Sequence, residues 1–585
     1  MLLTFKTTVK MKHFKLLIFL GLVAVSTSCG DASKKADTTT ADAIYFGGDI
    51  ITMETDSAVY AEAVAIKDGK IIYVGTKAEA EKLKGDSTVM SDLMGKTLLP
   101  GFIDGHGHLF MAGFQALAAD LLPPPDGKGI NIPSLISIGK EWAAKNSAAI
   151  NQTGWIIGTG YDDAQLKEKK HPTADDLDRV SVDTPVIFVH QSGHLCVMNH
   201  KGLQLSGYNA ATPDPKGGII RRKAGSKTPD GVLEETAMIG PIFKLMGSVD
   251  KKGNEKIVEA GMKAYSKYGY TTAQEGRAST AACENFKEMA AKNALFMDVY
   301  AYPDIQMEYD YMLKNGVQKE YNNHFRIAGV KLSADGSPQG KTAWLTKPYK
   351  VPPPGTRKNY NGYPAIPDTN ELYNLVATAF KNNWQILTHC NGDASADVYI
   401  RAVRLATEKY GNNDRRSVMI HAQTVREDQL DSMKVLGIMP SFFTMHTFYW
   451  GDWHRDETLG KERAYRISPT QSALKRGMIF TDHHDAPVAY PEAIRILSCA
   501  VNRVSRSGDI IGADQRISPY VSLKSLTAWA AFQAFEENNK GTLTKGKLAD
   551  FVILDRNPLK IDPMKLADLK VMTTIKEGKT IYSLQ

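Results

Sequence analysis

Cysteine is scarce in this chain, five residues in 585, and Cys29, Cys196, Cys283, Cys390 and Cys499 stand far apart. A disulfide framework or a thiolate metal site needs closely spaced thiols, so neither is expected, and the last four cysteines read as buried, unpaired groups. A large charge of one sign is lacking too. The formal net charge is +7, but Lys6, Lys10, Lys12 and Lys15 lie in an N-terminal segment that looks removable. Without them the excess is about +3. That is too small a charge to predict a phosphate-binding surface, and nucleic acid is set aside as a partner. Compositional bias is absent as well. With 43% hydrophobic, 23% charged and 9% aromatic residues, the chain is neither disordered nor collagen-like, and it is long enough for more than one domain.

The apolar run Leu16 to Val25 is too short for a comfortable membrane span. Lysines before it and Ser26, Thr27 and Ser28 after it make residues 1–28 read as a secretory signal. Cys29 follows directly, as at a bacterial lipoprotein cleavage site, although Ser26 stands where Leu is usual. The alternative is a signal peptide with an incidental cysteine. The expectation is an exported bacterial protein, periplasmic or at the cell surface. A lipid at Cys29 would be its only membrane contact, and residues 29–42 would be a flexible tether.

From Ala43 to Val89, short alternating runs broken by Gly and Asp predict hairpin strands, and the stretch from Gly546 has the same texture. One small sheet cannot bury its apolar face alone, so residues 43–98 and 546–585 are expected to combine into a β-sandwich domain. Between them, eight apolar strands are predicted near Phe102, Thr271, Val299, Ile327, Ile386, Val418, Ile438 and Met478, most of them followed by helical segments. Eight parallel strands alternating with helices predict an α/β fold of the (β/α)8 TIM-barrel class over 99–112 and 260–545. Residues 113–259 fit none of this rhythm and are expected to be an inserted subdomain.

In LLPGFIDGHGHL, Asp104, His106 and His108 alternate, which on a strand puts all three on one face. Two imidazoles one pleat apart can share a divalent ion, with Gly105 and Gly107 leaving room beside them. Alone, the pair is as compatible with ordinary hydrogen-bonded histidines. However, isolated polar residues recur at later strand ends, where barrel active sites are built: His389 closes WQILTH, His421 closes RRSVMIH, and Asp485 follows GMIFTDHH. Lys331 sits in the apolar strand RIAGVKLS, where an ammonium is costly to bury and sheds its proton easily. Carboxylation by carbon dioxide would turn it into an anionic ligand able to bridge two ions; the alternative is an outward-facing salt bridge. The stretch SFFTMHTFYWGDWH reads either as an apolar pocket wall, with His446 or His454 as a polar anchor, or as packing against the insert.

The strings PGFIDGHGH, VKLSADGSPQGKTAWL, THCNGD, IHAQ and HHDAPV, in this order, resemble the amidohydrolase superfamily. The likeness is to its amidohydrolase-3 branch, similar to N-substituted formamide deformylases. It runs from about Ala43 to the C-terminus and includes SGHLCVMNHKGL, GVLEETA and GTLTKGKLADFVILD. The resemblance implies that His106 and His108 bind one metal, that His389 and His421 bind a second, and that carboxylated Lys331 bridges them. Asp485 would touch the first metal and act as the catalytic acid and base, and His194 and Asp335 would be substrate-side residues. Zinc suits such nitrogen and oxygen ligands, as one or two ions. The motif DHHDAPV departs from the usual Gly-Ser or Thr before its Asp, which makes Asp482 a rival to Asp485.

The expected function is hydrolysis of an amide or formamide-like C–N bond of a small molecule by metal-activated water. A deaminase or cyclic-amide hydrolase on the same scaffold, or a surface-anchored binding protein that has lost turnover, are the alternatives. The presence of all six candidate ligands argues against the last.

Overall fold

The computed structural model describes residues 40–585 except 248 and 354, so the signal segment, Cys29 and nearly all of the tether lie outside the described residues. Local patterns set the strands. The N-terminal portion forms β1 (Ala43–Ile51), β2 (Tyr60–Lys67), β3 (Lys70–Gly75), β4 (Val89–Asp92) and β5 (Thr97–Pro100). Next come β6 (Phe102–Ile103), β7 (Ala119–Asp120), β8 (Ile156–Tyr161), β9 (Val186–His190), β10 (Leu195–Met198), β11 (Gly218–Arg222) and β12 (Pro229–Glu235). The strands β13 (Tyr270–Ala278), β14 (Asp298–Pro303), β15 (Phe325–Ile327), β16 (Gly329–Ser333), β17 (Gln385–Cys390), β18 (Val418–His421), β19 (Met439–Phe442) and β20 (Thr481–Asp482) follow. The C-terminus adds β21 (Phe551–Leu554), β22 (Val571–Lys576) and β23 (Lys579–Ser583).

Both ends of the chain join in one eight-stranded sheet of order β23-β22-β21-β5-β1-β2-β3, with β4 on β1. The seam is antiparallel, Phe551 opposite Pro100 and Leu554 opposite Thr97. Alternating apolar residues such as Ile50, Val64, Leu98 and Phe551 share one buried cluster, so each end covers apolar surface of the other. This pairing is continuous and does not itself divide into the two layers of a sandwich. A second sheet, β11-β12-β10-β9-β8-β7, lies within residues 113–259.

Two further sheets, β15-β14-β13-β6 and β16-β17-β18-β19-β20, are parallel throughout. Every residue of β17, β18 and β19 is buried, as strands covered on both faces require. The architecture is therefore mixed α/β. The strand expected near Ile327 is split at Ala328, and the one expected near Met478 begins at Thr481. A parallel bridge from Asp304 to Lys331 links the two sheets, whereas ladder pairing does not close them into a ring. Helices intervene as the alternation predicted: Thr369–Lys381 starts on an Asp368 cap, and Glu427–Leu436 stops at Gly437 in the left-handed conformation.

The helix Leu109–Leu117 begins directly after His108 and packs on Lys251–Lys267. Their contact depends on small residues: a Cβ on Gly113 would lie 1.9 Å from the Ile257 carbonyl oxygen, and one on Gly261 2.4 Å from that of Leu109. This crossing fixes the exit of the chain from the histidine motif. Among the described residues, no helix is long and apolar enough to cross a membrane. Cys196, Cys283, Cys390 and Cys499 are buried and free, as expected.

Candidate metal centre

The first histidine motif is not strand. Regular pairing ends at Ile103, and His106 and His108 are carried by the turn that leads into the following helix. Alternation along a pleat is therefore the wrong reason for their convergence; hydrogen bonds between remote loops replace it. The Asp485 N–H donates to the His106 carbonyl at 3.2 Å and the His108 N–H to that of Ala486 at 2.8 Å. Asp104 does not share the face of the two histidines. Its carboxylate accepts the N–H groups of His106 at 3.0 Å and Gln274 at 3.2 Å, and so braces the turn.

Hydrogen bonds orient the rings, and for His106 they assign the tautomer. The Gln274 Nε2 donates to the Gly105 carbonyl at 3.2 Å, which leaves its Oε1 to accept from His106 Nδ1 at 2.6 Å. His106 Nε2 is then the lone-pair atom. His421 is oriented by a longer chain. Gln533 Nε2 donates to the Gly105 carbonyl at 2.7 Å, so its Oε1 takes the proton of the Thr481 hydroxyl, 2.6 Å away. The Thr481 hydroxyl also contacts the Ser441 hydroxyl at 2.7 Å, which lies 2.8 Å from His483 Nδ1. His483 Nε2 in turn lies 3.1 Å from His421 Nδ1, so the chain fixes the orientation of the His421 ring. His389 Nε2 lies 3.1 Å from both the Gly336 carbonyl oxygen and Asn391 Nδ2, which hold that edge of the ring and leave Nδ1 turned toward His421.

The outcome is that His389 Nδ1 and His421 Nε2 face each other 3.1 Å apart, with the other nitrogen of each ring held from behind. A second convergence lies beside it. Asp485 Oδ1 is 3.5 Å from the Nε2 atoms of both His106 and His108, and its Oδ2 is 3.9 Å from His421 Nε2. Lys331 Nζ reaches His106 Nε2 at 2.7 Å. Burial, with neighbouring positive groups adding to it, holds His106, His389, His421 and His483 well below the ordinary imidazole range, so all four are neutral. Burial likewise brings the Lys331 amine down to about 7. Neutral imidazoles and a carboxylate converging on one point are a donor set that fits a divalent cation.

Asp485 and Asp482 are separated by the turn between them. Asp482 is fully buried and accepts the Thr444 N–H at 3.1 Å and hydroxyl at 2.7 Å, away from the histidines. Asp485, with φ +54°, turns its carboxylate into the cluster. The cluster opens into a cavity of about 460 Å³. His194 lines it, its Nδ1 2.9 Å from Glu235 Oε2 and its ring 5.6 Å from that of His389. Burial alone would lower the His194 pKa, but Glu235 beside it turns the shift upward. Asp335 also touches the cavity, yet its oxygens are taken by the N–H groups of Asn391, Gly392 and Trp344 and the Ser395 hydroxyl, at 2.7 to 3.0 Å. Strand β16 ends at Ser333, so Asp335 is carried by the loop after it and not by the strand that bears Lys331.

The aromatic stretch after β19 is packing. Tyr449 donates to Asp126, Trp450 Nε1 to Asp162 at 2.6 Å, and His446 Nδ1 lies 3.0 Å from His454 Nε2, all of them off the cavity wall. Gln274, His483, Glu275 and Arg277, all close to the cluster or on its wall, are residues that sequence reasoning missed. The polar string QEGR at the end of an apolar strand was the available signal.

A model of the amidohydrolase family matches residues 90–582. Protein LONG AFTER FAR-RED 3 of Arabidopsis thaliana is 28% identical over 93% of the chain and 92% of its own length. N-substituted formamide deformylase of Arthrobacter pascens is 23% identical over 89% of the chain and 95% of its own. In fold, the chain is similar to an uncharacterized metal-dependent hydrolase from Pyrococcus horikoshii OT3, with a TM-score of 0.70 at 23% identity, covering 89% of this chain and 99% of that one.

Proposed function

The chain belongs to the amidohydrolase family of metal-dependent hydrolases, and on that premise we propose that it cleaves an amide or formamide-like C–N bond of a small molecule. The observation that carries this reading is the convergence of His106, His421 and Asp485 into one buried group able to hold a metal ion, with His108 and His389 beside it. In the proposal, His106, His108 and Asp485 would hold one divalent ion, zinc by the chemistry of the donors, His389 and His421 would hold a second, and Lys331, as a carbamate, would supply an anionic oxygen ligand. The two parallel sheets are read as a (β/α)8 barrel, the terminal sheet as a sandwich, and the chain as exported on a lipid at Cys29.

A bound divalent ion supplies Lewis acidity, which polarises a carbonyl and acidifies water. The residues do the rest. Gln274 keeps His106 Nε2 unprotonated, and His483 holds the His421 ring with its other nitrogen aimed inward. Asp485 accepts the proton of the attacking water and delivers it to the departing nitrogen, so that acyl–N cleavage yields a carboxylic acid and an amine. His194, held by Glu235, stands on the open side as a donor to the substrate.

The test is a panel of N-acyl amino acids, formamides, cyclic amides and aminopurines, assayed as purified, after chelation and after adding zinc. Hydrolysis of acyl or formyl members that chelation abolishes and zinc restores is expected. Turnover confined to cyclic amides or aminopurines, or indifferent to chelation, would overturn it.

A further inference from the structure

One charged side chain on the cavity wall is left unused by this chemistry. Arg277, on β13, lines the cavity with His108, Lys331, Ser333 and His389. Its Nε donates to Asp304 Oδ2 at 2.7 Å. Asp304 is 1% exposed, and its other oxygen accepts the N–H groups of Gln306 at 2.9 Å and Met307 at 3.3 Å. It is a fixed post that takes one of the five N–H bonds of the guanidinium. The Nη groups make no hydrogen bond to the described residues, and the side chain remains 38% exposed. The charge acts across the cavity, where it disfavours protonation of Lys331, His194 and His389.

A surface ion pair alone explains this poorly, since a carboxylate whose second oxygen is committed to backbone cannot engage both edges of the fork. Among the described lining residues, Arg277 and Lys331 are the only lysine or arginine side chains, and Lys331 is directed at His106. Glu235, Glu275 and Asp485 make other parts of the wall unfavourable for an anion. We infer that Arg277 receives a carboxylate of the substrate through its Nη groups, so that the substrates are N-acyl or N-formyl amino acids rather than neutral amides. Planar bidentate pairing with carboxylate is what a pre-oriented guanidinium does best.

This inference rests on the amide-hydrolase reading, and the experiment separates the two. Matched pairs, N-formyl- and N-acetyl-amino acids against the amines that lack only the carboxylate, are assayed with wild type, Arg277→Gln and Arg277→Lys. Binding of the same compounds is measured by calorimetry on the Asp485→Asn background. The wild type should prefer the carboxylate member. Arg277→Gln should raise KM for it and collapse the preference by about 10- to 100-fold, with partial recovery in Arg277→Lys. If no member is turned over but the carboxylates still bind preferentially through Arg277, the bond assignment falls and the anion site stands. If the neutral members are bound and turned over as well as the acids, and Arg277→Gln changes neither ratio, the anion site is overturned while amide hydrolysis stands.

Discussion

The amine of Lys331 lies 2.7 Å from Nε2 of His106, and burial disfavours charge on both groups. Burial brings the amine down to about 7 and the imidazole well below its ordinary range. A free amine at neutral pH is the form that adds carbon dioxide. Lys331→Ala should therefore weaken metal binding and sharply reduce activity while leaving all four histidines in place. Formate or acetate should restore part of that activity in a concentration-dependent way, and the wild type should gain nothing. Density showing Lys331 unmodified and directed away from the histidines, with metal bound, would remove the ligand role.

Asp485 and Asp482 should give opposite phenotypes. Asp485→Asn cannot accept a proton and should lower kcat by about 10²- to 10⁴-fold while much of the metal stays bound. Asp482→Asn leaves the Thr444 N–H and hydroxyl poorly matched. It should lower stability by about 1–3 kcal/mol, with a smaller effect on turnover. Denaturation midpoints and steady-state kinetics on both variants distinguish them, and the reverse pattern would reassign the base to Asp482.

His483 orients His421 without being counted among the ligands. His483→Leu removes the hydrogen-bond partner of His421 Nδ1 and should weaken metal affinity by about 10- to 100-fold, measured by competition with a chromophoric chelator. His483→Gln, which can still hydrogen-bond there, should recover part of the loss. Equal affinity in wild type and the Leu variant would mean that the chain from Gln533 to His421 is structural only.

Gly276 supports the ring of His106 from behind. A Cβ there would meet His106 Cε1 at 2.4 Å and the Gly107 carbonyl oxygen at 2.8 Å. Gly276→Ala should push the ring off its position, reducing bound metal and activity at a stability cost of about 1–3 kcal/mol. Gly113→Ala, by contrast, strikes the Ile257 carbonyl in the neighbouring helix and should act mainly on the melting temperature. Metal content measured on both variants separates the effects.

His190 makes a pH-dependent contribution to stability. Burial alone would lower its pKa, but Asp162 and Asp163, 3.5 and 3.1 Å from its Nε2, raise it to about 9. A folded pKa above the unfolded value of about 6.5 stabilises the fold fully below that pH, and the contribution is lost as pH rises through about 9. The melting-temperature advantage of wild type over His190→Gln should thus shrink between pH 7 and 10. A constant difference would show that His190 is neutral throughout.

Much of the site was legible because its residue types sit where strands end. His389 and His421 stand in the last two positions of β17 and at the end of β18, in register one residue apart, and Lys331 lies within β16. Parallel strands bury both faces, so a His or Lys in them needs a reason, and that constraint is local. The Asp-capped helix after Asp368 and the glycine stop at Gly437 were local too.

The sequence by itself determined which side chains could carry the chemistry and roughly where the parallel strands run, because apolar periodicity and capping act over a few neighbouring residues. Tertiary structure alone decided how those side chains are used. It put His106 and His108 on a turn, chose Asp485 over Asp482 for the cluster, and aimed each imidazole through Gln274, His483 and Gln533. It also turned the aromatic stretch into packing and pinned Arg277 on the cavity wall. The contacts responsible join residues hundreds of positions apart, such as the His108 N–H on the Ala486 carbonyl. No local pattern encodes such a bond, because its geometry exists only after the whole sheet has paired.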